Sequence, residues 1–191
     1  MMSAMAGELS GVTLVDLYAL YPRFKIDVDA EQQRLLEHDV IVFQFPIYWY
    51  STPALLKEWQ DLVLEHGFAY GGDGCRLGGK LFLVAATAGG AERDYAADGL
   101  NHFPIRTLLT PLEQTAQLCR MRYLPPLVLF AALQASTSER AQQHVDRYRQ
   151  LLEGLRDERL DIEQAMQQEL LDHPEIPMLN QSDNSQGGHH G

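Results

Sequence analysis

The chain has 191 residues, with 15 Lys and Arg against 26 Asp and Glu, for a formal charge of −11. Its length suits one domain, and 46% hydrophobic with 21% charged residues supports a packed core rather than global disorder. The acidic balance argues against broad nucleic-acid binding, no apolar run of about 18 residues spells a bilayer span, and the opening MMSAMAGELSG has neither the basic nor the apolar region of a secretory signal.

In chain order, residues 12–18 (VTLVDLY) form a β-branched, apolar run after Gly11 and predict a strand closed by the Tyr21-Pro22 turn. Asp27 and Asp29 are candidate caps for a short polar helix over 30–38. Residues 40–45 (VIVFQF) are nearly all apolar and stop at Pro46, the pattern of a strand covered on both faces in a parallel sheet. A helix follows, with Thr52 as cap, Pro53 at its first position and Gly67 at its end, and Leu55, Leu56, Trp59, Leu62 and Val63 recur on one face. Residues 71–79 are loop. Residues 80–86 (KLFLVAA) predict a third buried strand, Thr110-Pro111 opens a helix toward Cys119, and residues 127–130 (LVLF) read as the last strand. Ala141, Val145, Tyr148, Leu152 and Leu155 then form an amphipathic stripe with Ser136 or Ser138 as cap. Helical spacing continues to about Leu171, and from Asp172 the composition predicts disorder. The expected organisation is therefore a domain over 1–156, a helical extension over 157–171 and a disordered tail over 172–191. Cys75 and Cys119 have no metal-ligand spacing, and the tail pair His189-His190 offers only opportunistic metal binding, so no metal site is expected.

Alternating strands and helices point to an open three-layer α/β sheet, whose ligands bind at the carboxyl ends of the strands. Two of those ends carry unusual chemistry. In the loop after residue 45, Tyr48, Trp49 and Tyr50 are consecutive; they cannot all face one core, and an outward aromatic beside Ile47 suits a planar heteroaromatic ligand. The plain alternative is that Trp49 and Tyr50 plug the top of the sheet. After Ala86, the stretch Thr87-Ala88-Gly89-Gly90 offers bare backbone and N–H donors; an ordinary Gly-Gly turn is the alternative there. Tyr95 follows in the next loop and can donate a hydrogen bond to a substrate oxygen, with Asn101 and His102 beyond it.

Together these segments resemble the flavodoxin-like NAD(P)H:quinone oxidoreductases, and within them the ancillary proteins of glutathione-regulated potassium-efflux systems. The resemblance runs through VTLVDLYALYPRF (12–24), IDV (26–28), VIVFQFPIYWYSTP (40–53), ALLKEWQDLVLEHG (54–67), GGK (78–80), TAGGAE (87–92) and CRMRYLPP (119–126), and covers about residues 12–155. It implies a sheet in the order 2-1-3-4-5, FMN at the strand ends, NAD(P)H as electron donor, a quinone as acceptor, and a homodimer. By match to the family's flavin loops, Ile47, Tyr48, Trp49 and Tyr50 would border the flavin ring, and Thr87, Ala88, Gly89 and Gly90 its pyrimidine side. Tyr95 would assist the substrate. The family's histidine position corresponds to Asn101, with His102 one residue late.

The front of the chain departs from that pattern. The family's first, central strand and its phosphate-cradling loop have no counterpart; residues 1–9 look like the last turns of the helix that follows them, which leaves residues 12–18 without an inner neighbour. Three explanations stand: a start upstream of Met1, a degraded copy, or a variant compensated by its tail or a partner. The resemblance implies a cytoplasmic FMN-dependent NAD(P)H:quinone oxidoreductase that can sit at the inner membrane through an antiporter. The alternative is a non-enzymatic regulatory subunit of a potassium–proton antiporter with weak or no FMN binding.

Overall fold

The computed structural model describes residues 1–72, 75–135, 138–171 and 176–179. Its sheet is parallel throughout. Strand β1 (Val40–Pro46) pairs along its whole length with β2 (Leu81–Thr87), from Val40 opposite Leu81 to Pro46 opposite Thr87. The far edge of β2 carries β3 (Arg122–Tyr123) and then β4 (Leu127–Leu129). Between them stand Pro125 and Pro126, which lack the N–H that a ladder requires.

Strand β2 is central and apolar on both faces. Phe82, Val84 and Ala86 enter one core, and Leu83 and Ala85 enter the other. The first core is covered by α3 (Val28–Glu37), α4 (Ala54–Val63), α5 (Ile105–Leu108) and α6 (Thr110–Leu118), through Leu35, Leu56, Trp59, Val63, Ile105, Leu112 and Ala116. The second is covered by α1 (Met2–Gly7), α8 (Glu139–Arg156) and the α9 turn (Ile162–Met166). Two short helices, α2 (Leu17–Leu20) and α7 (Ala132–Ala135), complete the described elements. This is the three-layer, flavodoxin-like arrangement, and it puts the ends of β1 and β2 at the same rim.

Local chemistry explains the elements. The Asp27 side chain accepts the Ala30 N–H and so caps α3, while Lys80 Nζ donates to the His38 carbonyl at 2.6 Å beyond its far end. Ser138 caps α8 by accepting the Ala141 N–H; the other candidate, Ser136, lies outside the described residues. Glu31, 3% exposed, is the polar pin of the first core. It accepts from Tyr21 Oη at 2.6 Å, from Trp59 Nε1 at 2.9 Å and from Arg34, so the carboxylate is satisfied and α3 is tied to α4.

The structure corrects several expectations. Residues 12–16 belong to no ladder, and Leu17–Leu20 are helical with Asp16 as cap. An extended apolar run becomes a strand only beside another strand, and β1 pairs with β2 alone among the described residues. Helix α4 is preceded by Pro53, not capped by Thr52, and stops at Val63, ahead of Gly67. The helical extension is broken between α8 and α9 over residues 157–161. Within the segment expected to be disordered, residues 176–179 pack instead: Met178 bridges to Leu160, the Asp161 N–H donates to the Pro177 carbonyl, and the Leu179 N–H donates to the Arg159 carbonyl. Ile176 and Met178 rest on the second core, enough apolar contact to hold a segment whose composition alone reads as loop. His189 and His190 lie outside the described residues.

Candidate active site

The chain leaves β1 at Pro46 and turns back at once. Tyr48 and Ser51 exchange N–H···O bonds of 3.0 Å in both directions, closing a two-residue hairpin around Trp49 and Tyr50. Both central residues have positive φ, +48° and +64°. That is the signature of a type I′ turn, which ordinarily holds Asn-Gly, so two aromatics here carry roughly 1–3 kcal/mol of backbone strain each. Trp49 is 94% exposed, and Tyr48 and Tyr50 are exposed as well, so none of them plugs the sheet.

At the neighbouring strand end, Ala88 is buried and its N–H donates to the Leu129 carbonyl, while the Gly90 carbonyl accepts from Ala131 N–H at 2.7 Å. These bonds fix the turn. The amides of Gly89 and Gly90 donate to no group among the described residues. A bond of 2.8 Å from Ile47 N–H to the Thr87 carbonyl ties the two strand ends together below the turn. A cleft of about 340 Å³ results, lined by Ile47, Trp49, Tyr50, Gly89, Gly90, Asp94, Tyr95, Leu100 and Asn101. A Cβ at Gly90 would stand 3.2 Å from both Asp94 Oδ2 and Tyr95 Cε2, so a larger residue there would have to displace these side chains by a few tenths of an ångström.

Ile47, Trp49, Tyr50, Gly89, Gly90 and Tyr95 therefore come together. Tyr48, Thr87 and Ala88 do not line the cleft; Ala88 faces the core, and Thr87 ends β2. Tyr95 stands on a single 3₁₀ turn (Glu92–Tyr95), its ring 5.6 Å from that of Phe130. His102 does not line the cleft, whereas Asn101 does. Asp94 and Leu100 are additions that sequence reasoning missed. Asp94 Oδ2 accepts the Ala91 N–H at 2.8 Å, a contact that no pattern in the sequence marks. Flat aromatic surface, orphan amide donors and one phenol suit a planar heteroaromatic ring with acceptors along one edge. No Lys or Arg lines the cleft, so a ligand phosphate meets no cationic side chain there. Among the described residues no group of three or more His, Cys, Asp or Glu is placed to hold a metal, and no helix is long and apolar enough to cross a membrane.

Residues 1–152 match the family model described as a flavodoxin-like fold. The chain belongs to this flavodoxin-like family. Within it, the chain is 50% identical over 134 residues, 70% of its length, to the glutathione-regulated potassium-efflux system ancillary protein KefG of Cronobacter sakazakii, of which the match spans 73%. General stress protein 14 of Treponema denticola, solved in complex with FMN, is 42% identical with a TM-score of 0.66, covering 76% of this chain and 80% of that one. An NADPH-quinone reductase from P. pentosaceus is 33% identical with a TM-score of 0.69, covering 78% and 85%. The chain thus stands among flavodoxin-like quinone reductases and potassium-efflux ancillary proteins, and its cleft lies where such sheets bind ligands, at the carboxyl ends of adjacent strands.

Proposed function

We propose that the protein is an FMN-dependent NAD(P)H:quinone oxidoreductase. The observation that carries this reading is the convergence of the strained Trp49-Tyr50 hairpin on the Gly89-Gly90 turn, whose amides have no partner among the described residues. FMN would supply the two-electron hydride chemistry, taking a hydride from NAD(P)H and passing it to a quinone. The chain's own residues do the rest. Trp49 and Tyr50 give the ring a flat wall, and Ile47 closes its base. Gly89 and Gly90 would supply N–H donors for its oxygen-bearing edge, where negative charge would collect on reduction. The Tyr95 hydroxyl would donate to an oxygen of the substrate, while Leu100, 79% exposed, stands at the outer rim. These residues fit the ring half of the cofactor, and none of them offers its phosphate a cation.

In this reading the enzyme is a homodimer. A groove of about 390 Å³ next to the hairpin, walled by Leu64, Leu112 and Leu118 together with Lys57, Gln60 and Asp61, offers the second copy a face of mixed polarity. The KefG relative, an ancillary protein of a potassium-efflux system, supports docking on a transporter of that kind. The lack of a cationic phosphate contact in the cleft favours a second reading, a regulatory subunit of that antiporter with little FMN.

Colour and turnover separate the two readings. The purified protein is expected to be yellow and to reduce a quinone with NAD(P)H; a colourless, folded protein that still binds the antiporter supports the regulatory role. Tyr95→Phe is expected to lower quinone turnover about tenfold or more with flavin content unchanged, within the usual worth of a positioned proton donor. Equal turnover in Tyr95→Phe and the parent removes Tyr95 from the mechanism.

A further inference from the structure

Among the described residues, Asp94 is the only charged one lining the cleft. Three hydrogen bonds fix its place. Its Oδ2 accepts the Ala91 N–H at 2.8 Å, its own N–H donates to the Ala91 carbonyl at 2.9 Å, and its carbonyl accepts the Asn101 N–H at 2.8 Å. The carboxylate thus closes the turn after Gly90 and stands 3.2 Å from where a Gly90 Cβ would be, while the Asp94 backbone carbonyl holds the loop carrying Leu100 and Asn101. Its only ion-pair neighbour among the described residues is Arg93, at 4.0 Å, whose side chain is almost wholly in solvent. Solvent screens that partner more than it screens the half-buried carboxylate, so Asp94 presents net negative charge to whatever occupies the cleft.

We propose that Asp94 is a positioning and potential-setting residue, whose fixed negative charge beside the Gly89-Gly90 turn disfavours negative charge on the bound flavin and holds its reduction potential down. The inference rests on the flavin reading above. A hydride from NAD(P)H carries two electrons and one proton, leaves NAD(P)⁺ behind and adds one negative charge to the ring. The orphan glycine amides favour that charge, and Asp94 opposes it from the same rim. The opposition keeps the reduced cofactor a strong donor toward a quinone rather than a stable end state.

The test is the two-electron potential of FMN bound to the full chain, measured against a reference dye. Asp94→Asn removes the charge but keeps an oxygen for the Ala91 N–H. It is expected to favour reduced over oxidised FMN by about tenfold, which for two electrons is about +30 mV. Glu92→Gln removes a neighbouring acid that does not line the cleft and is expected to shift the potential by less than a third of that. If Asp94→Asn does not take up FMN, Asp94→Ser, whose hydroxyl also accepts a backbone N–H, is measured instead. An unshifted potential in the neutral variant of yellow protein, or an equal shift in Glu92→Gln, overturns the role of Asp94 and leaves the flavin assignment standing. A parent protein that takes up no FMN overturns both.

Discussion

Trp49 and Tyr50 show how one residue's backbone can betray its use. Left-handed φ at two bulky aromatics is unfavourable, and the exposed hairpin gains no core packing in return. Tyr50→Gly is therefore expected to stabilise the fold by about 1 kcal/mol in urea unfolding while weakening flavin binding, the usual opposition between local strain and function. The two tryptophans can be told apart spectroscopically: Trp49 is 94% exposed and Trp59 is 5% exposed. Added FMN is expected to quench the solvent-exposed, red-shifted component of the emission, and Trp49→Phe to abolish that response. Glu31 is the converse case, a buried acid with every bond made. Glu31→Ala leaves Tyr21, Arg34 and Trp59 without their acceptor, and is expected to cost about 3 kcal/mol in denaturant unfolding. The aromatic run was legible in sequence because three adjacent rings cannot share one core. Asp94 was not, because its place in the cleft depends on a loop closing back onto Gly90.

At the scale of elements, α8 carries a charge switch on its buried face. His144 is 4% exposed, and burial, with Arg147 and Arg140 adding repulsion, lowers its pKa to about 4. The unfolded chain titrates this group near 6.5. Between those values the unfolded state binds the proton and the native state does not, so stability rises with pH across the window. The contribution is complete above about pH 6.5 and is lost as pH falls toward 4, with about 3 kcal/mol at stake. Urea unfolding from pH 7 to 4.5 measures it, and His144→Leu is expected to flatten the profile. The same helix receives residues 176–179, with Gly154 bare where Met178 crosses: a Cβ there would lie 2.8 Å from the Met178 Cε. A chain ending at Leu171 is expected to be less stable by about 1–2 kcal/mol, the worth of a partly buried Met and Ile.

For the whole molecule, the decisive feature is the sheet's open side. Strand β1 is apolar, seven residues long and paired with β2 only, among the described residues. In a parallel strand alternate amides point to opposite edges, so every second β1 amide is expected to exchange hydrogen orders of magnitude faster than the amides of β2, read residue by residue by NMR. The chain alone determined the two buried strands, the capped helices, and the pairing of an aromatic loop with a glycine turn. Apolar runs, caps and turns act over a few residues and need no knowledge of distant neighbours. Tertiary structure decided the rest. Residues 12–16 form no strand, because a ladder needs a partner across a gap. Residues 176–179 are packed although polar sequence precedes and follows them, because α8 offers them an apolar seat. Asp94 faces the cleft, because a carboxylate's surroundings are set by the fold and not by its neighbours in sequence.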